Sequence, residues 1–322
     1  MAVVYHPGKV KLDALQRAVE KAATEAGWAK SRWYPTTAED AGRSMAARAV
    51  SEGADVVAAA GGDGTVRAVA EALRGTGIPL ALLPQGTGNL LARNLGLPLL
   101  GLGVLDAAIR LAFGKEERSI DVGVATVTRP DGGMEDHAFL VAAGMGLDAA
   151  MIQQTRPELK KAVGWVAYLD GIARAIPGAK PFRVDYRIDA RPSRSVLAHS
   201  VIAANCGLVG PGLNMAPAAE LDDGILDVAA IKPRSAIGWL RIWNTVVIDN
   251  GILRRSGWGR RLADLRSQLV RDVVYQRARS VQLRVTAPVP FEVDGDELGE
   301  IVAARTWVDP GALRVKASGG GG

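Results

Sequence analysis

Along roughly the first 120 residues, short unbroken apolar runs alternate with stretches whose apolar positions recur every three or four residues. "AVVY" reads as a buried strand, and "LDALQRAVEKAATEAG" as an amphipathic helix ending at Gly27. "AKSRWYPTT" reads as a second strand, and "AEDAGRSMAARAVSEG" as a helix with acids in its first turn. "ADVVAAA", "VRAVAEALRGTG" and "IPLALLP" continue as strand, helix and strand, followed by "QGTGNLLARNLGLP" and the helix-like "LGVLDAAIRLAFG". Wholly apolar strands alternating with helices imply a parallel sheet covered on both faces, the three-layer α/β arrangement of a Rossmann-like domain.

From Glu116 the pattern changes. "RSIDVGVATVTR", "HAFLVAAGMGL", "FRVDYRID", "SVLAHSVIAANC", "ILDVAAIK" and "SVQLRVTA" are short strand-like segments separated by Gly, Pro and Asp. Such spacing predicts a C-terminal antiparallel β-sandwich. The expected division is residues 1–118 for the α/β domain and 119–304 for the sandwich. Residues 305–316 are expected as a strand returning to the first domain, and 317–322 as a flexible tail.

Composition narrows the chemistry. The chain has 322 residues, which favours two domains over one, and 48% hydrophobic content, ample for their cores. No apolar run is long enough to span a bilayer, and "MAVVYHPGKV" lacks the pattern of a cleavable leader. The single cysteine, Cys206, excludes an internal disulfide framework and fits a reducing compartment, hence the cytoplasm. Three scattered histidines (His6, His137, His199) offer no imidazole metal cage, so any metal is expected on oxygen. The net charge of +5 suits an anionic partner without choosing one.

Two glycine-rich turns carry the candidate chemistry. Gly61-Gly62-Asp63-Gly64-Thr65 follows a buried strand and opens a helix, where unpaired N–H groups favour an anion. Its glycines let phosphate approach the main chain, and Thr65 is placed either to cap the helix or to bond a phosphate. Asp63 beside phosphate calls for a bridging divalent cation, which suggests a magnesium nucleotide. The spacing is neither GxxxxGK[ST] nor GxGxxG. "LLPQGTGNLLARNLGLP" repeats the design after the next strand, adding Thr87 and Asn89. Parallel neighbours would bring both turns to one edge of the sheet.

"GGDGTV" followed by "LPQGTGN" resembles the catalytic domain of diacylglycerol kinases, and more closely the soluble bacterial lipid kinases that share it with sphingosine and ceramide kinases. The resemblance runs on through "AAGMGLDAAM", "APAAELDDGILDV" and "FEVDGDEL", in matching order. It implies ATP in a cleft, with nucleotide contacts from the first loop (Gly61, Gly62, Asp63, Gly64, Thr65, Val66 and Arg67), Thr37 and Thr87. It implies a structural Mg2+ on the Asp223 side chain with the Glu220 and Ile225 carbonyls, while Asp63 serves the nucleotide's magnesium. The catalytic base falls at Asp296, where relatives commonly carry glutamate, and adjacent Glu297 is a rival. Other departures are His6-Pro7-Gly8-Lys9 in place of an Asn-Pro start, Arg67 for an asparagine, and Leu90 where relatives have aspartate.

Trp239 to Arg284 holds ten arginines, three aspartates and no glutamate or lysine, with Trp239, Trp243 and Trp258 among aliphatic residues. That mixture suits peripheral contact with an anionic membrane surface, and equally an ordinary helix with a buried Trp stripe. Nucleic acid is not expected as a partner, because the aromatics do not alternate along a strand face. The reading is therefore an ATP- and Mg2+-dependent kinase of a membrane lipid, with diacylglycerol to phosphatidic acid as the expected reaction. An NAD kinase, which also uses a GGDG loop, and a nucleotide-responsive membrane-binding regulator are the alternatives. A homodimer is left open.

Overall fold

The apolar runs of the N-terminal half become β1 (Ala2–Tyr5), β2 (Arg32–Pro35), β3 (Val57–Gly61) and β4 (Leu80–Pro84), all parallel, in the order β2-β1-β3-β4. The computed structural model describes residues 1–99, 103–146, 181–210, 213–216, 218–232 and 273–318. The chain divides into two units, Met1–Val122 together with Asp309–Gly322, and Gly123–Val308.

In the first unit, alternate strand residues Val3, Ala58, Ala60, Ala81 and Leu83 face α1 (Leu12–Glu25) and α5 (Val104–Phe113). Leu15, Val19 and Ala23 of α1 recur at helical spacing and pack there with Ile109, Ala112 and Phe113. Burying a side chain such as Leu83 or Val19 contributes ~1.5–3 kcal/mol. A register slip of one residue would forfeit that gain. The other face receives α2 (Arg43–Ser51) and α3 (Asp63–Leu73); Gly42, just before α2, has no room for a Cβ beside Val4 and Val69.

Helix α2 starts later than its sequence pattern predicts, and its first turn holds no acid. Glu39 and Asp40 precede it, and the Asp40 carboxylate accepts the N–H groups of Gly42, Arg43 and Ser44 at 2.7, 2.7 and 3.0 Å. The acid thus caps the helix from outside, because Gly42 at φ 133° turns the chain before the first helical residue. Bonding to Ser44 first, and then to the backbone N–H groups, holds the Asp40 carboxyl below its ordinary range.

The chain runs from β1 outward to β2, then returns to lay β3 on the other side of β1. Loops leaving β1 and β3 therefore flank a topological switch point, where open parallel sheets bind ligands. Far along the sequence, Val315 pairs in parallel with Leu80, and Lys316 reaches Glu117 Oε1 at 2.7 Å and the Gly114 carbonyl at 2.8 Å.

The strands of the second unit pair antiparallel among the described residues whose register is given. A hairpin of β5 (Arg118–Thr128) and β6 (Met134–Phe139) leads to β7 (Ala142–Gly146). β8 (Phe182–Ile188) and β9 (Arg194–Ala198) form a second hairpin, followed by β10 (Ser200–Ala204) and a small pair, β11 (Leu208–Gly210) with β12 (Leu213–Asn214). β13 (Leu226–Ile231), β14 (Val273–Ala278), β15 (Ser280–Val293) and β16 (Asp296–Val315) complete it, in the order β14-β13-β10-β7-β15. The register of β15 shifts between Arg284 and Val289, so its first half pairs with β8 and its second half with β7. One strand thereby serves both layers of the sandwich, around Phe139, Met145, Leu226, Phe291 and Ile301.

Of the basic aromatic segment, residues 239–272 lie outside the described residues; 273–284 form β14 and the start of β15. Among the described residues, no helix is long and apolar enough to cross a membrane.

Candidate active site

The first glycine turn is shorter than its sequence suggests. Gly61 is the last residue of β3, Gly62 is the extended N-cap (φ −93°, ψ −173°), and α3 begins at Asp63. Thr65 therefore lies inside the first helical turn and does not cap the helix. It is buried and folds back on Gly61, where a Cβ would lie 2.6 Å from Thr65 Oγ1. Val66 is also buried, and its N–H bonds the Gly62 carbonyl at 3.1 Å, whereas Arg67 is half-buried.

The second turn closes on the first. A Cβ on Gly86 would lie 2.8 Å from the Gly62 Cα, so the two main chains meet where neither residue has a side chain. Gln85 N–H reaches the Gly61 carbonyl at 3.0 Å. Asn89, left-handed at φ 48°, precedes the short helix α4 (Leu90–Asn94). Its amide accepts from Gly86 N–H at 3.0 Å and donates to the Gly86 carbonyl at 2.8 Å. Arg93 Nε donates to the Gly88 carbonyl at 2.7 Å.

Asp63 joins the turns. Its Oδ2 accepts Asn89 N–H at 3.0 Å and its Oδ1 accepts Leu90 N–H at 2.6 Å. Gly88 lies close beside it: a Cβ there would stand 2.5 Å from Oδ2, so the carboxylate would have to shift. Burial pushes the Asp63 carboxyl above the usual aspartate range, and the two loop N–H groups and the Lys9 charge offset this in part. The Asp63 N–H bonds the same carboxylate, so three backbone donors hold it.

Lys9 comes from the turn after β1, in which His6 Nδ1 accepts Gly8 N–H at 3.1 Å and Lys9 N–H reaches the His6 carbonyl at 3.1 Å. Its ammonium lies over the bare backbone of Gly62, 2.8 Å from where a Cβ would be. A cation, a helix start and two glycine backbones thus lie together here, features that favour an anion. From sequence Lys9 could meet a phosphate, though a lone N-terminal lysine is usually solvated; its placement over Gly62 follows from β1 and β3 being neighbours. Thr37 and Thr87 are exposed, and Thr37 Oγ1 accepts Asp40 N–H at 3.1 Å.

In the second unit, Asp294 and Gly295 have φ 50° and 84° and form the two-residue turn between paired Val293 and Asp296. The Asp294 carboxylate accepts three successive N–H groups, from Leu140 and Val141 at 2.8 Å and Ala142 at 3.0 Å. Asp294 is thus a structural anchor for the turn. Directly paired residues share a sheet face. Asp296 therefore lies on the face of Val293, and Glu297 on the opposite face with its partner Glu292. Both Asp296 and Glu297 are exposed.

Asp223 Oδ1 accepts Ile225 N–H at 3.0 Å, and Oδ2 pairs with Arg277. Arg277 thus supplies the positive charge beside the carboxylate of the Glu220, Asp223 and Ile225 set. Among the described residues, no group of three or more His, Cys, Asp or Glu side chains is arranged to hold a metal ion.

Residues 1–125 match the model of the diacylglycerol kinase catalytic domain, and residues 141–254 that of the YegS C-terminal NAD kinase beta sandwich-like domain. A Pseudomonas fluorescens protein named "Probable lipid kinase YegS-like" is 30% identical over 96% of this chain and 92% of its own length. A Mycobacterium tuberculosis diacylglycerol kinase is 30% identical over 63% of each chain. The fold matches a crystal structure of a Bacillus anthracis diacylglycerol kinase with a TM-score of 0.68 at 18% identity, covering 98% of this chain and 96% of that one. The chain belongs to the lipid and diacylglycerol kinase family.

Proposed function

We propose that the protein transfers the γ-phosphate of ATP to the hydroxyl of a membrane lipid, with diacylglycerol as the principal acceptor and phosphatidic acid as product. The observation that carries this is the meeting of Gly62 and Gly86 beneath the Lys9 ammonium at the start of α3. That is a cradle for a polyphosphate. To the nucleotide we assign Gly61, Gly62, Asp63, Gly64, Thr65, Val66, Arg67, Thr37, Thr87 and Asn89, the last of which holds the second turn through Gly86.

Asp296 accepts the proton of the lipid hydroxyl as its oxygen attacks the γ-phosphorus. The bond to the bridging oxygen breaks and ADP leaves with that electron pair. Lys9 and the helix start stabilise the charge that builds on the phosphates. Magnesium, when bound, would neutralise phosphate charge, with Asp63 holding its waters. A structural magnesium on Asp223 with the Glu220 and Ile225 carbonyls must compete with Arg277, which makes that site a weak one. The setting is the cytoplasm with peripheral attachment to an anionic membrane, where such a substrate resides.

Transfer of label from γ-labelled ATP to lipid in mixed micelles tests this directly. Diacylglycerol is expected to be labelled by the native chain and not by Asp296→Asn. Labelling of NAD instead, a substrate suggested by the NAD kinase-like sandwich, would replace the acceptor; no transfer to either would overturn the kinase reading.

A further inference from the structure

The hairpin that carries Asp296 is irregular on its β16 side. Phe291 pairs with Gly299 and Glu292 with Glu297, so Leu298 is an extra residue opposite no residue of β15. This is a β-bulge, and Gly299 at φ 80° supplies its left-handed backbone. The Leu298 side chain packs against the sandwich core, and its carbonyl accepts from Nη1 of Arg129, the residue that follows β5. The same Nη1 lies 3.5 Å from the Glu300 carbonyl. The other nitrogens of Arg129 hold the Glu135 carboxylate, Nη2 at 2.7 Å and Nε at 3.3 Å. Glu135 thus fixes the planar fork so that its free end meets the bulge.

The bulge decides which acid faces which way. Val289, Phe291 and Val293 alternate onto one face of β15, and all three are buried. Ile301 pairs with Val289, so plain alternation back along β16 would put Gly299 and then Glu297 on that face. The extra residue reverses this, leaving Asp296 opposite Val293 and Glu297 opposite Glu292. If the bulge were undone at the same chain length, the extra residue would pass into the turn. A three-residue loop, Asp294 to Asp296, would then bring Glu297 opposite Val293. The two registers exchange the two carboxylates. Asp294, tied to residues 140–142, holds the turn end of this hairpin, and Arg129 holds the strand end.

We propose that Arg129 is a positioning residue for phosphoryl transfer: by holding the Leu298 bulge it keeps Asp296, and not Glu297, in the place of the base. The proposal rests on the reading of Asp296 as base given above. Arg129 acts through the backbone of β16 and contacts no reacting group. A displacement of about 1 Å at a reacting group costs ~10²-fold in rate. Loss of the bulge therefore lowers turnover and leaves nucleotide affinity alone, because the glycine turns belong to the other unit.

The test compares full-length Arg129→Met and Arg129→Lys with the native chain, by diacylglycerol phosphorylation in mixed micelles and by hydrogen exchange. Arg129→Met is expected to lower kcat about a hundredfold with the KM for ATP unchanged. Arg129→Lys, which keeps a cationic donor, is expected to recover part of the loss. Exchange in peptides covering residues 293–301 is expected to quicken about tenfold or more in Arg129→Met, the effect of one lost charge-assisted hydrogen bond, while β3 and α3 exchange as before. Native kcat and native exchange in a folded Arg129→Met overturn the proposal, as does a loss carried by the KM for ATP. If Arg129→Met does not fold as judged by circular dichroism, Glu135→Gln, which loosens the fork and leaves the bulge intact in sequence, carries the same test with a smaller loss. Asp296→Asn is measured alongside. Native turnover in Asp296→Asn with quickened exchange in Arg129→Met would remove Asp296 as base and keep Arg129 as holder of the register. Lost turnover in Asp296→Asn with an unaltered Arg129→Met would do the reverse.

Discussion

Asp63→Ala separates two roles that one carboxylate can play. In the structure both oxygens accept backbone N–H groups of the second glycine turn, at 3.0 and 2.6 Å. Each charge-assisted bond contributes ~1.5–3 kcal/mol. Asn89 and Leu90 are only half-buried, so water recovers part of the loss, and removing a buried charge returns a little more. The expected net cost is about 2–3 kcal/mol without nucleotide or metal. For a unit of this size that lowers the unfolding midpoint by roughly 5–10 °C. Asp63→Asn, which keeps one acceptor oxygen, is expected to lie between. Calorimetry at pH 7 in EDTA measures both. An Asp63→Ala midpoint equal to or above the native one would refute the loop-tie reasoning and leave Asp63 with a ligand role alone.

Three other perturbations follow the same logic. Gly86→Ala forces a Cβ to 2.8 Å from the Gly62 Cα, so the turns must part; a cost of about 1–3 kcal/mol and weaker ATP binding are expected by denaturation and calorimetric titration. Lys9→Met is expected to weaken ATP binding about tenfold or more while moving the midpoint little, since the lysine turn is exposed; equal affinities would remove Lys9 from the phosphate site. Burial, reinforced by Asp223 and opposed by Arg277, pushes the Asp227 carboxyl up to about 6. The folded chain then holds a proton that the unfolded chain releases near pH 4. This contribution to stability is full below pH ~4 and lost as pH rises to ~6, by about 1–2 kcal/mol after screening. Asp227→Asn should flatten that slope in urea titrations across the window.

Periodicity and turn chemistry settled the elements of the first unit from sequence, because wholly apolar four- and five-residue runs such as Val57–Gly61 have few other stable fates than a buried parallel strand. The two glycine turns were legible as a pair for the same reason: each follows such a strand. Family resemblance supplied what residue patterns leave open, the acceptor class and the expected base. The start of α2 was misjudged because an aspartate outside a helix can satisfy its N–H groups as well as one inside. Of the two roles open to Thr65 in sequence, capping falls away because the glycine turn holds a single non-strand, non-helical residue, Gly62. Other facts needed tertiary structure. Lys9 reaches Gly62 because β3 returns beside β1; Asp63 bonds residues 26 and 27 positions away; and Asp294 anchors a loop more than 150 positions earlier. That Asp296 shares a sheet face with Val293 and Glu297 the opposite face with Glu292 is likewise decided only once strand register is fixed. Local pattern determines which segments become strands and helices, since those depend on neighbours in sequence. Which backbone meets which side chain depends on strand order and register, set by burial across the whole sheet.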